Sequence, residues 1–144
     1  SILDGAPNEL SLYITEFTQN NIDSAYLRRY SLRIDGFASI QAPLRGGELV
    51  TKPLVFGGKE LVINFSTGAA GSVRVEIQDV EGKPLRGYSL ADCDETFGDD
   101  LERTVVWKGG ADVSRLTGRP VRLRFVLKDA DLFSLRFADS PNTR

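Results

Sequence analysis

SVRVEIQDV, residues 72–80, puts Val73, Val75 and Ile77 on one side of an extended chain and Arg74, Glu76 and Gln78 on the other. Successive side chains of a strand point to opposite faces, so a period of two marks a half-buried strand. VRLRFVLK, residues 121–128, repeats the pattern. There Val121, Leu123, Phe125 and Leu127 alternate with Arg122, Arg124, Val126 and Lys128. Shorter versions run through Leu61, Ile63 and Phe65, through Phe133, Leu135 and Phe137, and through Leu10, Leu12 and Ile14. One apolar and one polar face per strand fits antiparallel sheets, because parallel strands are covered on both faces.

Turn residues separate these runs. Gly46-Gly47, Gly57-Gly58, Gly109-Gly110 and Gly118 with Pro120 punctuate the chain. Val80-Glu81-Gly82-Lys83 reads as a hairpin turn in which Gly82 takes the positive φ. Asp129-Ala130-Asp131 is expected to turn the last two strands back on each other. Helical signal is confined to residues 112–116, where Asp112 can cap the amides that follow. About nine strands with regular turn spacing and little helix give an all-β fold, with an antiparallel β-sandwich favoured over a closed barrel. Residues 1–139 read as one domain and residues 140–144 as a flexible tail. The chain begins at Ser1 and contains no methionine, which reads as a piece of a longer protein in preference to a processed chain.

The 144 residues suit a single core that buries roughly two thirds of the unfolded chain's surface. With 41% hydrophobic and 26% charged residues, the composition is that of an ordered globular chain. No apolar run approaches the roughly 20 residues of a membrane span, so no membrane insertion is expected. The net charge of −2 lacks the basic footprint of a nucleic-acid partner. A single cysteine, Cys93, leaves the redox compartment open.

Longer stretches resemble a known group of proteins. GGELVTKPLVF (46–56), GSVRVEIQDVEGKPLRGYSLADCDETFGDD (71–100) and VVWKGGADVSRLTGRPVRLRFVLKDADLFSLRF (105–137) resemble the C-terminal region of large bacterial proteins related to glycoside hydrolase families 32 and 43. NELSLYIT (8–15) and LRRYSLRIDGFASI (27–40) fit the same pattern, so the likeness spans about residues 10–137. It implies a β-sandwich of the lectin-like or jelly-roll type that follows a five-bladed β-propeller carrying the catalytic carboxylates. It therefore implies an accessory domain, with no catalytic residue to carry over. It also implies an extracellular or periplasmic location, a polysaccharide or oligosaccharide partner, and contact with the adjacent catalytic domain.

The residues themselves restrict the chemistry. The chain has no histidine, which removes Ser-His-Asp and Cys-His catalysis and the usual zinc ligand sets. Cys93 sits among carboxylates, which disfavour a thiolate. A glycosidase needs two carboxylates about 5 to 10 Å apart across the scissile bond, and nothing in the spacing points to such a pair.

The densest feature is DCDETFGDD, residues 92–100, with five carboxylates in nine residues. Calcium takes six to eight oxygens and would offset their repulsion, with Asp92, Asp94, Asp99 and Asp100 as ligands, although the spacing is not that of an EF-hand. The competing reading is a solvated acidic loop paired with Arg86 or Arg103. The same carboxylates can accept hydrogen bonds from sugar hydroxyls. Trp107 is the only tryptophan. Exposed, its indole would be a platform for the C–H face of a sugar ring; in a strand, it would be a core residue. Tyr88 and Phe97 stand beside or within the acidic loop. Arg28-Arg29 and the Arg122, Arg124, Lys128 stripe are read as cross-strand charge pairs, with recognition of an acidic sugar by bidentate arginine as the alternative.

The expected function is that of a non-catalytic carbohydrate-binding accessory domain, with Tyr88, Asp92, Asp94, Glu95 and Trp107 as its ligand-binding residues. The alternative is a structural domain that packs on the propeller without binding sugar; Val126 and Leu132, apolar on otherwise polar strand sides, are where its docking face would lie.

Overall fold

A computed structural model of the chain describes residue 5 and residues 8–18 and 21–139; for residues 17, 18 and 21–24 it describes the backbone alone. The expected tail at 140–144 lies outside the described residues. Chain contacts divide the molecule into two compact units, Ser1–Ala38 and Ser39–Arg144. Both are built from antiparallel strands, so the protein is all-β with little helix.

The first unit is a two-stranded ribbon of β1 (Glu9–Thr18) and β2 (Asn21–Arg33), paired from Glu9↔Arg33 to Thr18↔Asn21. Polar side chains pair across it. The Glu16 carboxylate accepts hydrogen bonds from the Tyr26 hydroxyl at 2.7 Å and from the Tyr30 hydroxyl, and pairs with Arg28 at 3.5 Å. Arg29 donates to Ser11 Oγ at 3.1 Å and pairs with Glu9 at 3.3 Å. The Arg28-Arg29 stretch is thus engaged in cross-strand charge pairing. Leu12, Tyr13, Ile14, Tyr26, Leu27 and Tyr30 are exposed.

The second unit holds a five-stranded sheet curled into a half-barrel. Its strands are β3 (Ile40–Ala42), β4 (Gly47–Val50), β5 (Glu60–Gln78), β6 (Asp99–Thr104) and β7 (Arg122–Ala138). β7 and β5 form its spine, paired from Glu60↔Ala138 to Gln78↔Arg122. β6 adds to the free side of β5, while β3 and β4 pair with β7 at Ala130–Leu132 and Arg124–Leu127 respectively.

Each spine strand carries two of the alternating runs read from the sequence. The expected turn at Asp129-Ala130-Asp131 is corrected here, because β7 continues through those residues. Asp129 adopts φ 41° opposite the register shift between Thr67 and Ser72, so the strand bends without reversing. That bulge changes the parity of the buried positions. Leu123, Phe125 and Leu127 face the core before it, and Ala130 and Leu132 after it. A second shift at Asn64/Phe65 pairs Phe65 with Leu132 and Asn64 with Ser134, which returns Leu135 and Phe137 to the apolar side. Extra residues in one strand of a pair increase local twist, and two such irregularities between β5 and β7 account for the curl. Leu132 is therefore a core residue, and Val126 is half-buried.

The inner face of the sheet supplies Leu61, Ile63, Phe65, Val73, Val75 and Ile77 from β5 to the core. It is covered by residues outside the named strands: Phe56, Tyr88, Cys93, Val105, Trp107, Val113 and Leu116. The expected hairpin at 80–83 is present. Gly82 takes φ 88°, and the Asp79 carboxylate accepts from the Glu81 and Lys83 amides at 3.1 and 2.8 Å. A short helical turn, Ser114–Leu116, sits where Asp112 announces it, with the Asp112 carboxylate accepting from the Ser114 amide at 2.7 Å.

On the other face of the sheet lies a half-buried charge cluster. Arg124 makes a bidentate contact to Glu48 (3.1 and 2.7 Å) and reaches Glu76 at 3.4 Å. Glu76 is buried and also accepts from Gln78 Nε2 at 2.7 Å and from the Leu90 amide at 3.1 Å. The Arg124 guanidinium holds the Glu48 carboxyl below its ordinary range. Arg124 thus serves cross-strand charge pairing.

Candidate functional site

The acidic loop is stitched to a neighbouring strand segment, and this fixes which of its side chains point outward. Cys93 and Trp107 face each other in an antiparallel bridge, with the Asp94 amide donating to Val106 O at 2.9 Å and the Lys108 amide to Asp92 O at 2.8 Å. Since neighbours along a strand alternate, turning Cys93 and Trp107 inward turns Asp92, Asp94, Val106 and Lys108 outward.

Trp107 is only 1% exposed, and its Nε1 donates to Val75 O at 3.0 Å. Tyr88 is buried edge-on against Trp107, with ring centroids 5.3 Å apart, and its hydroxyl donates to Asp112 O at 2.8 Å. The expected surface of aromatic rings and acids on one face is therefore not assembled. Both rings belong to the core because each polar tip finds a backbone oxygen there, which lets the large apolar remainder be buried.

The carboxylates have local partners. Asp92 accepts from Ser89 Oγ at 2.7 Å and pairs with Lys108 at 3.6 Å; the Ser89 hydroxyl is the main cause holding its carboxyl below the usual value. Glu95 lies 3.5 Å from Arg74 and is held low first by the Ser72 hydroxyl and then by the Arg74 charge. Asp100 accepts from Arg103 Nε at 2.8 Å. Asp94 and Asp99 are exposed. Among the described residues no group of three or more acids, cysteines or histidines is gathered as a metal site, and this includes Asp92, Asp94, Asp99 and Asp100. Phe97 is 69% exposed beside Glu95, which makes it the aromatic of this loop that faces solvent. Burial pushes the Cys93 thiol up, while its Sγ accepts from the Val75 amide at 3.2 Å.

A different site forms where two loops meet over Tyr88. The hairpin that ends at Pro84 returns the chain through Leu85 and Arg86, and Gly87 at φ 87° turns it into Tyr88. From the other side, the Ser114–Leu116 turn presents Arg115 and Leu116, and Gly118 at φ 77° reverses the chain into Arg119. Leu85, Arg86, Tyr88, Arg115, Leu116 and Arg119 line an open cleft of about 370 Å³.

The cleft is locked from below. The Arg115 guanidinium stacks over the Tyr88 ring at 4.5 Å and donates to Arg86 O at 2.8 Å. A side chain at Gly87 would begin 3.0 Å from Arg115 Nη2, so glycine here serves both the backbone angle and the approach of the guanidinium. No carboxylate lines the cleft. Among the described residues neither the Arg86 nor the Arg119 guanidinium has a carboxylate partner. Arginine remains charged at all ordinary pH and offers a planar fork of donors. Three of them around one concavity, with half-buried Leu85 among its lining, can receive a ligand that combines C–H surface with oxygen acceptors.

Of the residues expected at the site, only Tyr88 belongs to this cleft, and it forms the floor. Sequence reading passed over Arg115 and Arg119, and considered Arg86 only as a partner for the acidic loop. The three lie 29 and 4 positions apart and join through loop geometry, which no periodicity encodes. Compared with family models, with curated proteins and with solved structures, the chain finds no match in any of the three.

Proposed function

We propose that this chain is a non-catalytic carbohydrate-binding accessory domain that holds a saccharide in the cleft over Tyr88. The observation that carries this reading is the cleft itself. It has the volume of a small-ligand site, an apolar side chain in half-buried Leu85, and hydrogen-bond donors suited to sugar oxygens. Its lining offers guanidinium donors and leucine side chains, chemistry for binding rather than for acid–base work. On this reading the domain raises the effective concentration of an attached glycoside hydrolase near its polysaccharide, outside the cytoplasm.

The same reading takes the architecture to be a lectin-like β-sandwich of about nine strands. Its support is the partial strand pairing within the covering segments, at Cys93↔Trp107 and Trp107↔Gly110. These bridges give the layer opposite the curled sheet a β character of its own.

A specific observation favours the second reading, a structural domain packed on a neighbouring β-propeller. Leu12, Ile14, Tyr26 and Leu27 expose apolar surface on a two-stranded ribbon, and such ribbons are marginal alone in water. The test is a polysaccharide array probed with the folded chain and with Arg86→Ala/Arg119→Ala. The binding reading expects at least one saccharide hit that the double variant loses. A blank array from a protein shown to be folded contradicts it and favours the structural domain.

A further inference from the structure

We infer that the cleft over Tyr88 selects saccharides bearing an oxyanion, a carboxylate or a sulfate, through Arg86 and Arg119; this rests on the carbohydrate reading and narrows it. The arginines with described carboxylate partners are already committed. Arg28 and Arg29 hold Glu16 and Glu9, Arg74 holds Glu95, Arg103 holds Asp100, Arg124 holds Glu48 and Glu76, and Arg136 holds Glu102. In a chain of net charge −2, two arginines left without carboxylates beside one cleft are a local departure from the overall balance. Arg115 adds a third positive charge, anchored by Tyr88 and Arg86 O, so it contributes field and a fixed wall.

The geometry divides the work among these side chains. Arg115 is held by its stacking and its backbone hydrogen bond, which keeps a guanidinium plane in place before any ligand arrives. Arg86 and Arg119 come from different loops and line the same cleft, which puts two uncommitted guanidiniums at the disposal of one ligand. Guanidinium forks match carboxylate and sulfate oxygens with two parallel hydrogen bonds, which a neutral hydroxyl cannot accept with the same charge assistance. Half-buried Leu85 supplies the apolar contact that a sugar ring needs and an inorganic anion does not.

The experiment is calorimetric titration of the whole chain with trigalacturonate, with its fully methyl-esterified form, and with a sulfated galactan oligosaccharide. Esterification keeps the sugar and removes the charge. The acid is expected to bind at least tenfold tighter than the ester. Arg119→Ala and Arg86→Ala should each weaken the acid about tenfold while leaving the ester unchanged, and Arg103→Ala should change neither. Preference for the sulfated oligosaccharide over the ester supports the same assignment and identifies sulfate as the oxyanion. Equal affinity for the acid, the sulfated sugar and the ester overturns the charge selectivity and leaves the carbohydrate reading standing. An absence of binding to all three by a folded chain overturns both. Charge-selective binding that neither arginine variant weakens places the oxyanion elsewhere and overturns the assignment.

Discussion

At the scale of single residues, the division between core and surface decides what each aromatic or charged group does. Trp107 is a structural residue, with its indole nitrogen satisfied by Val75 O and its ring against Tyr88. Trp107→Ala should cost about 3–5 kcal/mol in urea unfolding, since a large buried ring leaves a cavity. A stable Trp107→Ala protein that lost only sugar binding would contradict the assignment. Arg124 and Arg122 separate in the same way. Arg124→Ala leaves the buried Glu76 carboxylate short of its cation and should destabilise by about 2–3 kcal/mol. Arg122 Nε is buried with no hydrogen-bond partner, so Arg122→Met should be neutral or raise the melting temperature.

The residue scale also shows where sequence reading ends. The inward set Val73, Val75 and Ile77, with Leu123, Phe125 and Leu127, was legible because a period of two is a property of neighbours along the chain. Whether Trp107 faced in or out was open, because it hangs on the Cys93 bridge, a contact across fourteen positions. The arginine cleft was illegible for the same reason. Nothing local to Arg119 announces that it will line the same cleft as Arg86.

At the scale of elements, β5 and β7 each join two runs that the sequence separates, and the joint depends on glycine. A Cβ at Gly71 would lie 2.3 Å from the backbone oxygen of Asp129, too close for any relaxation short of moving the strand. Gly71→Ala should therefore destabilise by about 1–3 kcal/mol, as overpacking does, and thermal unfolding measures it. Alternation gave the strands their faces, and the bulges that invert those faces near Asp129 and Phe133 carry no comparable signal. Asp129 read as a turn residue because aspartate tolerates a positive φ, which it does adopt, in a bend within a strand.

At the scale of the whole molecule, the pH profile follows from its titrating groups. Glu48, Asp92, Glu95 and Asp112 all have folded values below their ordinary 4.5 or 3.8. A carboxyl lowered by folding stabilises above its unfolded value and loses that contribution as pH falls through its folded one. With no histidine in the chain, no side chain of that type titrates between these carboxyls and Cys93. Cys93 is raised, so its contribution is complete below its unfolded value and lost as pH rises toward the folded one. The melting temperature should be level from about pH 5.5 to 8, fall below about pH 4 and decline again on the alkaline side. A step near pH 6.5 would contradict this account.

Ligand enters, on the proposed function, the cleft between the residue 85–88 loop and the residue 114–119 turn. The most direct test is to follow the backbone amide resonances of the chain during titration with trigalacturonate. The account predicts shifts concentrated at Leu85, Arg86, Arg115, Leu116 and Arg119, and reduced in Arg119→Ala. Shifts concentrated at Asp94, Glu95 and Phe97, or along the β1–β2 ribbon, would contradict it.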